Sequence, residues 1–187
     1  MSNLSSVRFS LDVEGTIAGF QLREASGIVT REGDVSAIAK VNTAGQLVEY
    51  EVIVADGITY LRGPTGGFSE VPQEFASRFY DPRRLLDEAA IGRTMREARN
   101  ARTEALENVN GQPAYRIRAD FDTSLVQGLS LVAPNQQSVR ATVWLERESS
   151  RLVRARLPFE NSRGEETVLT VNLSNYNEPA VIEAPKA

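Results

Sequence analysis

QLVEYEVIVADGITYLRGPTGGFSEVPQEFASRFYDP, residues 46–82, decides how the rest of the chain is read. Val48, Tyr50, Val52 and Val54 fall on one side of an extended chain, and Glu49 and Glu51 fall on the other. Side chains on a strand alternate between faces, so this spacing predicts one packed face and one wet face. Asp56-Gly57 suits the positive φ angles of a two-residue hairpin turn, and Ile58 to Leu61 returns along the first strand. Gly63-Pro64 and Gly66-Gly67 then interrupt the sheet before a short extended piece, Phe68 to Val71. Asp81-Pro82 has the chemistry of a helix start, an aspartate N-cap followed by a proline whose missing N–H costs nothing there. The stretch is a hairpin, a glycine loop and the passage from sheet to helix.

On its N-terminal side, Val7, Phe9, Leu11 and Val13 alternate with Arg8, Ser10, Asp12 and Glu14, a half-buried strand. Residues 16–23 read as a loop or an irregular strand. Ala25 to Glu32, Val35 to Asn42 and Gln46 to Ala55 make a meander with turns at Glu32-Gly33-Asp34, Thr43-Ala44-Gly45 and Asp56-Gly57. Turns that short impose antiparallel neighbours. From Pro72 to Arg99 the spacing becomes helical: Phe75 and Phe79 are four apart, as are Ile91 and Met95, while Leu85, Leu86 and Ala89 share a side. Two or three short helices are predicted, broken at Asp81-Pro82 and near Gly92, the last with Arg93, Arg96, Glu97 and Arg99 outward.

Sheet returns with Thr103 to Val109, an Asn110-Gly111 turn, and Tyr115, Ile117, Ala119 and Phe121 on one face of the next strand. Asp122 to Leu131 reads as a short helix. Three strands follow, Val139 to Glu146, Val153 to Phe159 and Thr167 to Leu173, and the tail from Asn177 has room for one short edge strand. The fold class is α+β: roughly ten antiparallel strands in one layer with a single dry side, and few helices. So wide a sheet must twist and curl, and the helices are the natural cover for its concave face.

A chain of 187 residues suits one domain, 1–187, with residues 1–6 a start outside the fold and 177–187 a proline-containing tail. Net charge of −4 offers no basic field for nucleic acid. Cysteine and histidine are both absent, which removes disulfides, thiolate nucleophiles, the usual zinc sites and Ser-His-Asp chemistry. No run approaches the ~20 apolar residues of a helical membrane span. Gly63 to Gly67 lacks the Lys-Ser/Thr of a phosphate loop and leads into an extended segment, so it is a turn. Glu49 and Glu51 share a strand face as a glycosidase pair would, but that face is polar and reads as solvated surface. No catalytic residue, metal-ligand set or cofactor is nominated.

Arg151, Arg154 and Arg156, with Arg116 and Arg118, alternate with apolar neighbours and read as solvent face, with a phosphate-facing patch as the second reading. Trp144 shares a face with Thr142 and Glu146, opposite the apolar row of its strand, as a partner or membrane contact or as edge packing.

VEYEVIVADGITYLRGPTGGFSEV, FYDPRRLLD, ENVNGQPAYRIRADF and RATVWLERESSRLVRARL, in this order and spacing between Val7 and Tyr176, resemble the LppX/LprG-type lipoprotein family of actinobacterial envelopes. The resemblance implies a half-barrel of antiparallel strands, short helices across the concave face, and an apolar cavity between them. It implies a carrier and not an enzyme, whose partner is a lipid or glycolipid with acyl chains, acting as a monomer without nucleic acid. It also implies export to the cell envelope and an N-terminal lipid anchor on the outer face of the plasma membrane. Neither an export signal nor a modifiable cysteine stands in this sequence, so it reads as a mature domain apart from its anchor, with a natural soluble member as the alternative.

From the residues alone the apolar rows are an ordinary core. Aromatics make up only 7%, and the covering helices offer few large side chains, which could leave unfilled apolar volume. With the resemblance, the expected lining is Phe9, Leu11, Val48, Tyr50, Val52, Val54, Ile58 and Tyr60 from the first strands. Phe75, Phe79, Leu85, Leu86, Ile91 and Met95 come from the helices. Ile117, Val139, Ala141, Val143, Val153, Ala155, Leu157, Leu169 and Val171 come from the later strands. The function expected is a lipid or glycolipid carrier between membrane and outer envelope. The alternative is a non-catalytic structural or protein-interaction domain without a cavity.

Overall fold

Eleven strands pair into one antiparallel sheet in the computed structural model, which describes residues 4–15, 21–72, 86, 88–122, 138–160 and 164–186. In chain order they are β1 (Ser6–Glu14), β2 (Leu22–Thr30), β3 (Val35–Thr43), β4 (Gln46–Ala55), β5 (Ile58–Arg62) and β6 (Ser69–Val71). Among the described residues the helix α1 (Glu88–Arg96) precedes β7 (Arg99–Val109), β8 (Gln112–Asp122), β9 (Ser138–Glu146), β10 (Leu152–Glu160) and β11 (Glu166–Ser174). The spatial order is β6-β5-β4-β3-β2-β1-β11-β10-β9-β8-β7. Two meanders thus run outward from the central pairing of β1 with β11, and the sheet stays open, with β6 and β7 as edges.

Turn chemistry fixes the registers. Asp56 and Gly57 have φ of 53° and 77°, and Asn110 and Gly111 have 53° and 85°, the double positive φ of a type I′ hairpin. Ala44-Gly45 makes a third such pair, at 50° and 86°. There the Asn42 side-chain oxygen accepts the Gly45 N–H at 2.9 Å, as Asn108 accepts that of Gly111 at 2.8 Å.

Residues paired across an antiparallel ladder point to the same side. Across the ladder Val7 meets Val29, Leu11 meets Val171, Leu169 meets Leu157, and Val143 meets both Ala155 and Ile117. These rows make one inner face with a continuous core that includes Val7, Leu11, Val139, Ala141, Leu169 and Leu173. Ile91, Met95 and Ala98 pack onto it, so α1 lies against this face. Burying each such side chain contributes about 1.5–3 kcal/mol, which is what holds a sheet this wide together.

Gly27 marks a close approach. A Cβ there would stand 2.3 Å from the Ser36 carbonyl oxygen and 2.7 Å from both Cα and Cβ of Ala37. β2 and β3 come this near because position 27 has no side chain, and Phe9 and Ala37, its register partners, lie on the inner face.

Several boundaries differ from the sequence expectation. β2 starts at Leu22, inside the stretch read as irregular, and ends at Thr30. The helix runs through Gly92 unbroken, because a single glycine weakens a helix by about 1 kcal/mol without ending it. Arg99 opens β7 instead of closing that helix. Residues 4–6, read as outside the fold, belong to it: Leu4 is buried, Ser6 begins β1, and Asn177 accepts the Ser5 N–H at 2.9 Å. Among the described residues the tail adds no strand, and Glu178 pairs with Arg8 at 2.7 Å. Asp81-Pro82 and most of the Asp122 to Leu131 helix lie outside the described residues.

Candidate functional site

The inner face has two parts. Around β1 and β8 to β11 it is a close-packed core. Across β3, β4 and β5 the same face is only half-buried: Ala37 pairs with Val52 and Val52 with Leu61, Ala39 pairs with Tyr50, and Val41 pairs with Val48. Among the described residues this strip carries no charged side chain, and its titratable group is the Tyr50 phenol. Gly63 lies beside that ring, where an added Cβ would make an ordinary contact at 3.5 Å from Tyr50 Cε1. The strip is a surface of methyl groups beside one phenol, apolar apart from that hydroxyl.

The expected lining residues divide accordingly. Leu11, Val139, Ala141, Val143, Ala155, Leu169 and Val171 are buried in the core cluster. Phe9, Val54, Leu86, Ile91, Met95, Ile117 and Leu157 are partly buried against it. Val48, Tyr50 and Val52 belong to the half-buried strip. Phe75, Phe79 and Leu85 lie outside the described residues.

Three nominated residues lie on the opposite face. The two-residue turn pairs Ala55 with Ile58 and Ile53 with Tyr60, so Ile58 and Tyr60 point outward, while Thr59 and Leu61 face inward with Val54 and Val52. Counting across the Asp56-Gly57 turn would have found this. Val153 is displaced by a β-bulge: the pairing with β9 slips between Leu152 and Arg154, so Leu152 takes the inner position. Val153 joins a separate outer cluster with Val109, Ala114 and Trp144. No pattern in the sequence announced that bulge.

Trp144 is accordingly no free surface contact. It is 8% exposed, donates its indole N–H to Glu107 at 2.9 Å, and carries the Arg154 guanidinium 5.6 Å above its ring. The outer face around it is a network of ion pairs. Arg116 and Arg118 both reach Glu104 at 3.2 Å, and Arg116 also pairs with Glu107. Arg140 holds Asp120 at 2.7 Å while Asn100 donates to the other carboxylate oxygen at 2.8 Å. These hydrogen bonds pull the Asp120 carboxyl down to about 2 from its ordinary 3.8. Partial burial, with Glu14 and Glu24 nearby, instead raises Asp12. Arg8, with Asn175, lowers Glu178.

An open, wide antiparallel sheet with one apolar face and a helix laid on it defines an α+β half-barrel with a non-polar inner surface. The chain belongs to the LppX_LprAFG lipoprotein family, whose model matches residues 1–182. It is 25% identical over 187 residues to the lipoarabinomannan carrier protein LprG of Mycobacterium leprae, covering 98% of this chain and 77% of that one. The LprG of Mycobacterium tuberculosis strain H37Rv is also 25% identical, over 185 residues, with 97% and 76% covered. Among solved structures, LprF from Mycobacterium bovis superposes with a TM-score of 0.79 at 20% identity, over 98% of this chain and 90% of that one. The Mycobacterium tuberculosis lipoprotein LppX gives 0.67 at 17% identity, over 96% and 90%.

Proposed function

We propose that this protein is a cell-envelope carrier of lipid or glycolipid, which holds acyl chains against the inner face of the sheet between membrane and outer layer. One observation supports the reading above others: the charge-free, half-buried strip of Val41, Val48, Tyr50, Val52 and Leu61 continues the face on which α1 lies. A soluble fold that only needed a core would bury that strip or cover it with charge. Each methylene transferred from water to it gains about 0.8 kcal/mol, enough to hold a pair of acyl chains yet release them to a bilayer. Release requires the helical cover to move, and α1, unbroken at Gly92, is the part of that cover among the described residues. On this reading the whole chain is one non-catalytic, monomeric, exported unit that works at the outer face of the plasma membrane. The membrane is reached through a lipid anchor ahead of it, as in its lipoprotein family.

The test is uptake of lipid from vesicles of phosphatidylcholine doped with a diacyl lipid bearing a self-quenched acyl fluorophore. Protein that withdraws the label stoichiometrically and returns it to acceptor vesicles supports the carrier; protein that leaves the label quenched overturns it. A second reading, a structural domain without a ligand cavity, draws on the close packing of Leu11, Val139, Ala141 and Leu169.

A further inference from the structure

Several solvent-facing positions of this sheet are filled by paired charges, such as Arg62 with Glu51, Lys40 with Glu24, and Arg140 with Asp120. One band is different. On the outer face Arg154 pairs across the strands with Asn172, Asn172 with Ser10, Ser10 with Ser26, Ser26 with Ile38, and Ile38 with Glu51. Ser174 and Ser36 flank this row, beside Arg8 and Ile53 respectively. These short side chains floor a groove of about 600 Å³ bounded by Arg8, Ile38, Glu51 and Arg154, and lined also by Asn110 from the tip of the β7–β8 hairpin. From β10 to β4 the groove crosses the intervening strands at ~4.8 Å each, roughly 24 Å in all.

Its polar groups are left open in a particular way. Among the described residues, the hydroxyls of Ser26, Ser36 and Ser174 have no hydrogen-bond partner, while Ser10 is engaged by the Asn172 amide at 3.1 Å. Two charges are already matched, Arg8 by Glu178 and Glu51 by Arg62. Arg154 is not. Its Nε donates to Asn172 at 2.6 Å and its plane lies over Trp144, which fixes the guanidinium without a carboxylate and leaves its remaining N–H groups for a ligand.

We propose that this groove is a second binding site, for a linear oligosaccharide bearing one acidic group, carboxylate or phosphate, at the Arg154 end. Hydroxyls that both donate and accept suit a ligand made of hydroxyls, and a floor of serines lets sugar rings lie flat. The single unmatched guanidinium sets the ligand's charge at one. A peptide fits less well, because the groove crosses strands whose backbone groups are already paired and offers no apolar pockets for alternate side chains. The groove lies on the face opposite the proposed lipid surface, so the two readings stand or fall separately.

The probes are linear pentasaccharides of mannose, glucose and galactose, each neutral and each oxidised to a single reducing-end carboxylate, titrated into ¹⁵N-labelled protein. At least one acid is expected to shift the amides of Ser10, Ser26, Ser36, Asn172 and Ser174 saturably, with its neutral counterpart about tenfold weaker. Arg154→Gln is expected to reduce the acid to the neutral sugar's affinity. Ser26→Leu, which fills the groove from an exposed position without touching the core, is expected to abolish both while leaving lipid uptake unchanged. If none of the acids moves these amides at millimolar concentration, or if Ser26→Leu binds like the wild type, there is no such site. Equal binding of acid and neutral sugar, or an Arg154→Gln protein that still prefers the acid, overturns the role of the guanidinium.

Discussion

Replacing Gly27 by alanine tests how closely β2 and β3 approach. The added Cβ would meet the Ser36 carbonyl oxygen at 2.3 Å and the Ala37 Cα and Cβ at 2.7 Å. Two of those atoms are backbone, so no rotamer change relieves the contact and the ladder between Gly27 and Ala37 must open. Overpacking of this kind costs typically 1–3 kcal/mol, and each kcal/mol lowers the midpoint of a chain this size by about 2–4 °C. Gly27→Ala should therefore melt roughly 2–12 °C below the wild type, and Gly27→Val lower still. Gly45→Ala is the control, because its φ is +86° but nothing lies within 4 Å of the added atom. It should lose only the conformational term of about 1 kcal/mol. The assay is thermal and urea unfolding by far-UV circular dichroism, with amide hydrogen exchange along Ala25 to Ala39. A Gly27→Ala protein that melts within about 1 °C of the wild type, or above Gly45→Ala, would refute the close approach.

Gly111→Val places a β-branched residue at φ of 85° in open space, so the strain is purely conformational. Its melting midpoint should fall by the equivalent of about 1–2 kcal/mol, and an unchanged midpoint would mean another turn type. Trp144→Ala should cost about 3–5 kcal/mol in urea unfolding, whereas a merely exposed ring would cost almost nothing. Asp120 titrates near 2 in the folded chain against an ordinary 3.8, so the stability it contributes is complete above 3.8 and drains away as pH falls toward 2. Urea midpoints measured between those limits should fall less steeply in Asp120→Asn, and parallel curves would show that the pairing with Arg140 contributes nothing.

The sheet was legible because its strands alternate cleanly and its hairpins use Asp-Gly and Asn-Gly. Gln46–Ala55 has the same bounds in sequence and structure. What alternation could not supply was anything that changes its phase. Val153 lost its face to a bulge, since Leu152 and Val153 are equally apolar and only the partner strand decides which turns inward. Ile58 and Tyr60 were misplaced for a different reason: the strand's own alternation was right, but its phase relative to β4 depends on the turn length. Trp144 was legible only as an outer-face residue, either a partner or membrane contact or packed, because three of its contacts, Glu107, Val109 and Ala114, come from a hairpin far away in sequence. Periodicity also cannot separate a core residue such as Leu169 from a half-buried one such as Val52. Both are inward-facing aliphatics, and only the completed packing distinguishes them.

That distinction is where the carrier reading can be tried most directly. Val52 lies on the half-buried strip between Ala37 and Leu61, and in a carrier it borders acyl chains instead of a packed neighbour. The measurement is the lipid occupancy of Val52→Trp and wild-type protein by native mass spectrometry after exposure to the same diacyl vesicles, read beside the melting midpoint. The indole is expected to take the lipid's place, so that occupancy collapses while the midpoint moves by less than about 2 °C. In a filled core the same change is overpacking worth about 1–3 kcal/mol. Occupancy equal to wild type, or a midpoint several degrees lower in a protein that never carried lipid, would contradict the account.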